Sequence, residues 1–239
     1  MFGSKNFVFF MQKISHFYPL SGAWLLVLLA ACNPPGSGGK TPVTEEHPLP
    51  PRCAGIKRTK TPADKAALEK ELFTDNPGRN DYNYIDTSQV KRMNYLFHDK
   101  INFNADIGCW DTSNVQVMNG LFSGATSFNQ DISGWNTSNV RNMAFMFQRA
   151  KSFKQNIGAW NVSNVTDMNG MFENATSFNQ DIGEWKTASV QSMWKMFKGA
   201  TAFNQNLSGW NVSQVIDRNN IFDDSPMATR TTQHPKWKQ

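Results

Sequence analysis

Trp110, Trp135, Trp160, Trp185 and Trp210 stand 25 residues apart, with no insertion or deletion between them. The same register carries Phe103, Phe128, Phe153, Phe178 and Phe203; Ile107, Ile132, Ile157, Ile182 and Leu207; Val115, Val140, Val165, Val190 and Val215; and Phe122, Phe147, Phe172, Phe197 and Phe222. Met118, Met143, Met168 and Met193 form a further series that ends at Arg218, and an earlier, degenerate copy is legible in Ile85, Val90, Met93 and Phe97. A fixed period of this length means that one unit cannot bury its own apolar face, so neighbours must stack to do so. The repeat runs over residues 85–225, and all 11 prolines of the 239-residue chain lie at 77 or before or at 226 or after. Leu is sparse, but 18 Phe, 8 Trp and 11 Met supply the core.

Within a unit, Met168, Met171, Phe172 and Ala175 follow the spacing i, i+3, i+4, i+7, which predicts a short helix or helical turn over residues 167–175. The stretches around Ile182 and Val190 read as short extended pieces joined by polar turns. The expected fold class is therefore an α/β repeat solenoid, with short parallel strands and one helical turn per 25-residue unit. Asn114, Asn139 and Asn164, like Asn129, Asn179 and Asn204, recur in register and are expected to hydrogen-bond the turns.

The chain before the repeat divides into three parts. Residues 1–31 carry Lys5 and Lys13 and an apolar run over 22–31. That run is too short for a permanent membrane helix, which needs roughly 20 residues, and it has the build of a secretory signal. Met11 offers a second start for it. Leu29-Ala30-Ala31-Cys32 resembles the lipobox of bacterial lipoprotein precursors, which implies lipidation at Cys32 and a membrane contact through that lipid. Residues 32–60, opening with Asn33-Pro34-Pro35-Gly36-Ser37-Gly38-Gly39, read as a flexible linker. Residues 61–84 read as an N-terminal helical cap, with Thr61 as N-cap, Pro62 at the first helical position, and Ala67, Leu68, Leu72 and Phe73 turned to the first unit. Residues 226–239 read as a mobile tail. Cys53 and Cys109 are left over from lipidation, and in an exported protein they either pair or remain two thiols.

The formal charge of +5 is spread thinly: eight basic and seven acidic residues over 32–84, three and three over 85–109, and seven and six over 110–209. No nucleic-acid partner is expected from that balance. The four His are scattered, no Gly-rich phosphate loop occurs, and the column Asp131, Asn156, Asp181, Asn206 is half neutral. Neither a cofactor, a metal nor a catalytic residue is expected, and the chain does not read as an enzyme.

Phe178-Asn179-Gln180-Asp181-Ile182 leading to Trp185, and the run from Trp160 to Phe172, resemble the BspA-type leucine-rich-repeat surface proteins of bacteria, over residues 85–222. The resemblance implies an exported, often lipid-anchored module of the cell envelope, outer membrane or cell surface that binds a protein or another cell-surface macromolecule. The alternative is a non-adhesive structural lipoprotein facing the periplasm. The array is short beside those common in that family. A binding face is to be sought where the copies differ. Arg141, Phe145, Trp194 and Lys195 stand where other copies carry small or polar residues, such as Gly120 and Gly170 beside Phe145. Aromatic residues flanked by Arg or Lys suit a partner interface, unless the rings only pack on their own neighbours.

Overall fold

The computed structural model describes residues 51–237. Residues 1–31 and Cys32, with the linker up to residue 50, lie outside the described residues, as do 238–239. The body is a pile of 25-residue coils, numbered here from 85: coil 1 is 85–109, coil 2 is 110–134, coil 3 is 135–159, coil 4 is 160–184 and coil 5 is 185–209. A closing half-coil covers 210–225.

The five indoles form one interior row, 1 to 4% exposed. Ring centroids are 6.4 Å apart between Trp110 and Trp135 and 6.5 Å between Trp135 and Trp160. Each indole N–H donates to a backbone carbonyl 28 residues earlier, as Trp160 does to Ile132 at 3.2 Å and Trp210 to Ile182 at 2.9 Å. Beside them run two rows of phenylalanines that stack along the pile and also against each other. Phe147 lies 5.6 Å from Phe122, 5.7 Å from Phe172 and 3.9 Å from Phe153. These fully buried rings, with the Ile, Val and Met columns, make one continuous apolar core.

The backbone corrects the expected fold class. Among the described residues there is no sheet, and the coils touch through isolated parallel bridges, one residue per coil: Arg92, Val117, Asn142, Asp167, Ser192 and Asp217. Nor does residue 167–175 form a helical turn. The reason is a backbone that reverses twice in each coil through positive φ. The first position is Tyr95, Gly120, Phe145, Gly170, Lys195 and Asn220, and the second is Asp99, Gly124, Arg149, Asn174, Gly199 and Asp224. Neither a strand nor an α-helix tolerates such residues in its interior. What replaces both is an alternation of hydrogen bonds. In coil 3, the N–H groups of Met143, Phe145, Phe147 and Arg149 donate to carbonyls of coil 4, while those of Met146, Gln148 and Ala150 close i to i+3 turns within the coil. Every second donor therefore points along the pile, and the backbone is satisfied without a strand.

Amide columns complete the turns. Asn114, Asn139 and Asn164 each donate from Nδ2 to the carbonyl of a Ser in the coil before. Asn104, Asn129 and Asn179 accept, through Oδ1, the N–H of the residue 25 further on. The mixed column Asp106, Asp131, Asn156, Asp181, Asn206 accepts the N–H two residues ahead. A carboxylate and an amide oxygen serve that turn equally, which explains the alternation of Asp and Asn.

The two ends depart from the sequence reading. The helix α1 spans Lys65–Lys70 and begins later than expected: Asp64, not Thr61, is its N-cap, accepting the Ala67 N–H at 2.9 Å. A π-helical turn, Glu71–Asp75, continues it. Leu68 and Leu72 are fully buried and Phe73 meets Phe97 edge-on at 6.0 Å, but Ala67 faces outward. The last ten residues of the expected linker are fastened: Cys53 is bonded to Cys109, Thr59 donates to Tyr84, and Lys60 bridges Ile85. The expected mobile tail closes the other end over its described part. Met227 is fully buried, His234 packs 4.4 Å from Phe222, and Leu207 donates to Gln233 at 2.9 Å. Those apolar groups cover the last coil, whose core would otherwise meet water.

Candidate interaction groove

The first positive-φ column lies on the outside of the pile, and its occupants alternate. Tyr95 in coil 1 is followed by Gly120, Phe145 by Gly170, and Lys195, with Trp194 beside it, by Asn220. Each large ring lies across the glycine of the next coil. A Cβ on Gly170 would stand 2.6 Å from the Phe145 ring, and a Cβ on Gly120 would run into Tyr95. The glycines therefore serve two needs at once, the left-handed backbone and the room for the ring above.

Tyr95, Phe145, Trp194 and Lys195 line one open groove of about 440 Å³ that crosses coils 1 to 5. Tyr95 is 46% exposed, and Phe145 and Trp194 are half-buried. The polar lining crosses the coils as a relay: Ser123 Oγ donates to Gln148 Oε1 at 3.1 Å, and Gln148 Nε2 donates to Glu173 Oε2 at 2.7 Å. Lys195 Nζ sits 4.1 Å from the centroid of the Trp194 ring, and His98 meets Tyr95 edge-on at 5.7 Å. Asn169 Oδ1 accepts the Trp194 N–H at 2.8 Å and so fixes the backbone beneath the indole. A cation, a carboxylate and a histidine leave the groove close to neutral.

Arg141 does not line this groove. It stands exposed in a neighbouring column, where its N–H donates to Gln116 and its carbonyl accepts from Thr166. Tyr95, His98, Gln148 and Glu173, which do line it, went unnoticed in the sequence. The signal was present: Tyr95 lies 25 residues before Gly120, in the position that singles out Phe145 and Lys195.

A wider hollow of about 780 Å³ opens between the cap and coil 1, lined by Arg79, Lys100, Phe103 and Asn104 among others. It arises because the chain before coil 1 leaves the repeat: Arg79 stands 25 residues before Asn104, where an Asn would extend the amide column. Near it, Arg52 pairs with the Asp131 carboxylate and donates to the Asp131 carbonyl at 2.7 Å. Partial burial pushes the Asp131 carboxyl up, but the bonds from Ser133 and the Arg52 guanidinium outweigh it and hold the group below the usual carboxylate range. In the cap, burial together with the bond to Glu71 pushes the Tyr84 phenol up to about 12.

Among the described residues, no group of three or more His, Cys, Asp or Glu is placed to hold a metal ion, and no helix is long and apolar enough to cross a membrane. These features define a tandem-repeat protein whose core is uniform and whose outer face varies. The chain belongs to the family described as Mycoplasma protein of unknown function, DUF285, whose sequence pattern matches residues 69–165 and again 135–237. No curated protein and no solved structure matches it.

Proposed function

We propose that this is a lipid-anchored bacterial envelope protein that binds a macromolecular partner through the groove over coils 1 to 5. One observation carries the reading. Tyr95, Phe145 and Lys195 occupy left-handed backbone that coils 2 and 4 fill with glycine, so they carry a backbone strain that the fold meets without a side chain at Gly120 and Gly170. Strained side chains that line an open groove support a role in recognition. The lipobox-like Leu29-Ala30-Ala31-Cys32 and the likeness of the repeat motif to the BspA-type surface proteins support export, an anchor on Cys32, and a place at the outer membrane or cell surface. The partner is a protein or another cell-surface macromolecule.

The test replaces groove residues with those the repeat itself uses: Phe145→Gly, as at Gly120 and Gly170, with Trp194→Asn, as at Asn119 and Asn169. Cells displaying the double variant should lose attachment to a partner surface while the purified chain melts within a few degrees of the wild type. Retained attachment would reject the groove. Protease applied to intact cells should also remove the protein, whereas full protection would favour the periplasmic structural role instead.

A further inference from the structure

The rings of the groove have a period of their own. Tyr95, Phe145 and Trp194 lie in coils 1, 3 and 5, and the intervening coils 2 and 4 carry Gly120 and Gly170. With a rise of about 4.8 Å per coil at the hydrogen-bonded backbone, Tyr95 and Phe145 stand two coils, roughly 10 Å, apart, and Trp194, one residue before the equivalent Lys195, continues the series along a groove roughly 20 Å long. A ligand filling the groove would be extended and would present flat faces at about that pitch.

The groove floor offers a ligand no backbone to pair with. The N–H groups of Tyr95, Gly120, Phe145, Gly170 and Lys195 all donate to the following coil, at 2.7 to 3.0 Å. A peptide added as a further strand would find no donors there, which removes the main source of affinity for that mode of recognition. The near-neutral lining is equally unsuited to a polyphosphate. What remains is the combination of ring faces with side-chain amide, hydroxyl and carboxylate groups. Among the described residues, Glu173 Oε1 and the second Gln148 Nε2 hydrogen have no partner, so the Ser123–Gln148–Glu173 relay presents both an acceptor and a donor to the groove.

We propose, resting on the binding role above, that the ligand is a neutral β-1,4-linked polysaccharide. A β-glucopyranose carries axial C–H bonds on both faces, those of C1, C3 and C5 on one and those of C2 and C4 on the other, which pack on the negative face of an aromatic ring, and hydroxyls around its rim, which the relay engages. In a β-1,4-linked chain, successive sugars are turned over, so the same face recurs at every second residue. That repeat matches rings in alternate coils with glycine between them. An α-1,4-linked chain of the same sugar curls and presents no such straight series.

The experiment titrates the purified chain with cellohexaose and with the hexamer of N-acetylglucosamine, following tryptophan emission and heat. The five core indoles are sealed, and Trp194, half-exposed in the groove, is read as the part of the emission change that Trp194→Asn removes, since Trp24 and Trp237 also emit. Saturable binding of at least one β-1,4 hexamer is expected, at least tenfold tighter than its disaccharide, and weakened tenfold or more by Phe145→Gly or Trp194→Asn. Maltohexaose should not saturate. Equal binding of maltohexaose would overturn the match of pitch. If no β-1,4 hexamer binds while cells still attach through Phe145 and Trp194, the glycan assignment falls and the binding role stands. If attachment is also insensitive to those residues, both fall.

Discussion

Phe145→Gly is the substitution that best separates a residue kept for the fold from one kept for its surface. Phe145 has φ of 57°, where an L-residue costs about 1–2 kcal/mol and glycine nothing. Against that relief stand two losses. A freer unfolded chain costs about 0.4–1 kcal/mol. Burying a whole Phe side chain is worth about 1.5–3 kcal/mol, of which a half-buried ring loses about half. The terms nearly cancel, so the variant should lie within about 1 kcal/mol of the wild type. Phe147, two residues on, is fully buried between Phe122 and Phe172, and Phe147→Ala should cost about 3–5 kcal/mol. Phe145→Ala keeps the strained backbone and loses the ring, so it should be less stable than Phe145→Gly, the reverse of the usual ranking of the two residues. Urea denaturation followed by tryptophan emission measures all three. If Phe145→Gly costs as much as Phe147→Ala, or if Phe145→Ala proves the more stable of the pair, the ring belongs to the core and the argument from strain is wrong.

Three further outcomes follow from the packing. Replacing Cys53 and Cys109 with Ser opens a loop of sequence separation 56 and should lower unfolding stability by about 4 kcal/mol, read by the same denaturation with and without reductant. Trp160→Phe keeps a ring in the row but removes one of the two donors to the Ile132 carbonyl, which keeps the Trp135 N–H, and the lost bond should cost about 0.5–1.5 kcal/mol; no change would mean that the indole bond is idle. Tyr84, half-buried and bonded to Glu71, holds its proton to about 12 in the fold against an ordinary value near 10. A raised value means that its contribution is whole below pH 10 and is lost as the pH rises from 10 to 12. Melting temperatures over that range should fall more steeply for the wild type than for Tyr84→Phe, and parallel curves would contradict the assignment.

The aromatic and aliphatic columns were legible because a 25-residue period admits one solution: like side chains lie above one another, whatever path the backbone takes between them. That path was not legible. Met168, Met171, Phe172 and Ala175 carry the spacing of a helix, yet consecutive i to i+3 turns bring the same residues inward, and periodicity alone does not tell the two apart. The hint lay in Gly170 and Asn174, residues that take positive φ readily, and it was blurred by Phe145, Lys195 and Arg149 at the same positions in other coils. The groove was half legible for a related reason. Variation between copies singled out Phe145, Trp194 and Lys195, but it also singled out Arg141, because a departure from the repeat does not say which way a side chain faces. The sequence by itself therefore determined that the chain stacks, in which register, and with which residues inside. Only the tertiary structure decided that the coils pair through single bridges instead of strands, and that Tyr95, Phe145 and Trp194 share one face. Both depend on backbone reversals at positive φ, which residues other than glycine adopt here only because the neighbouring coils hold them there.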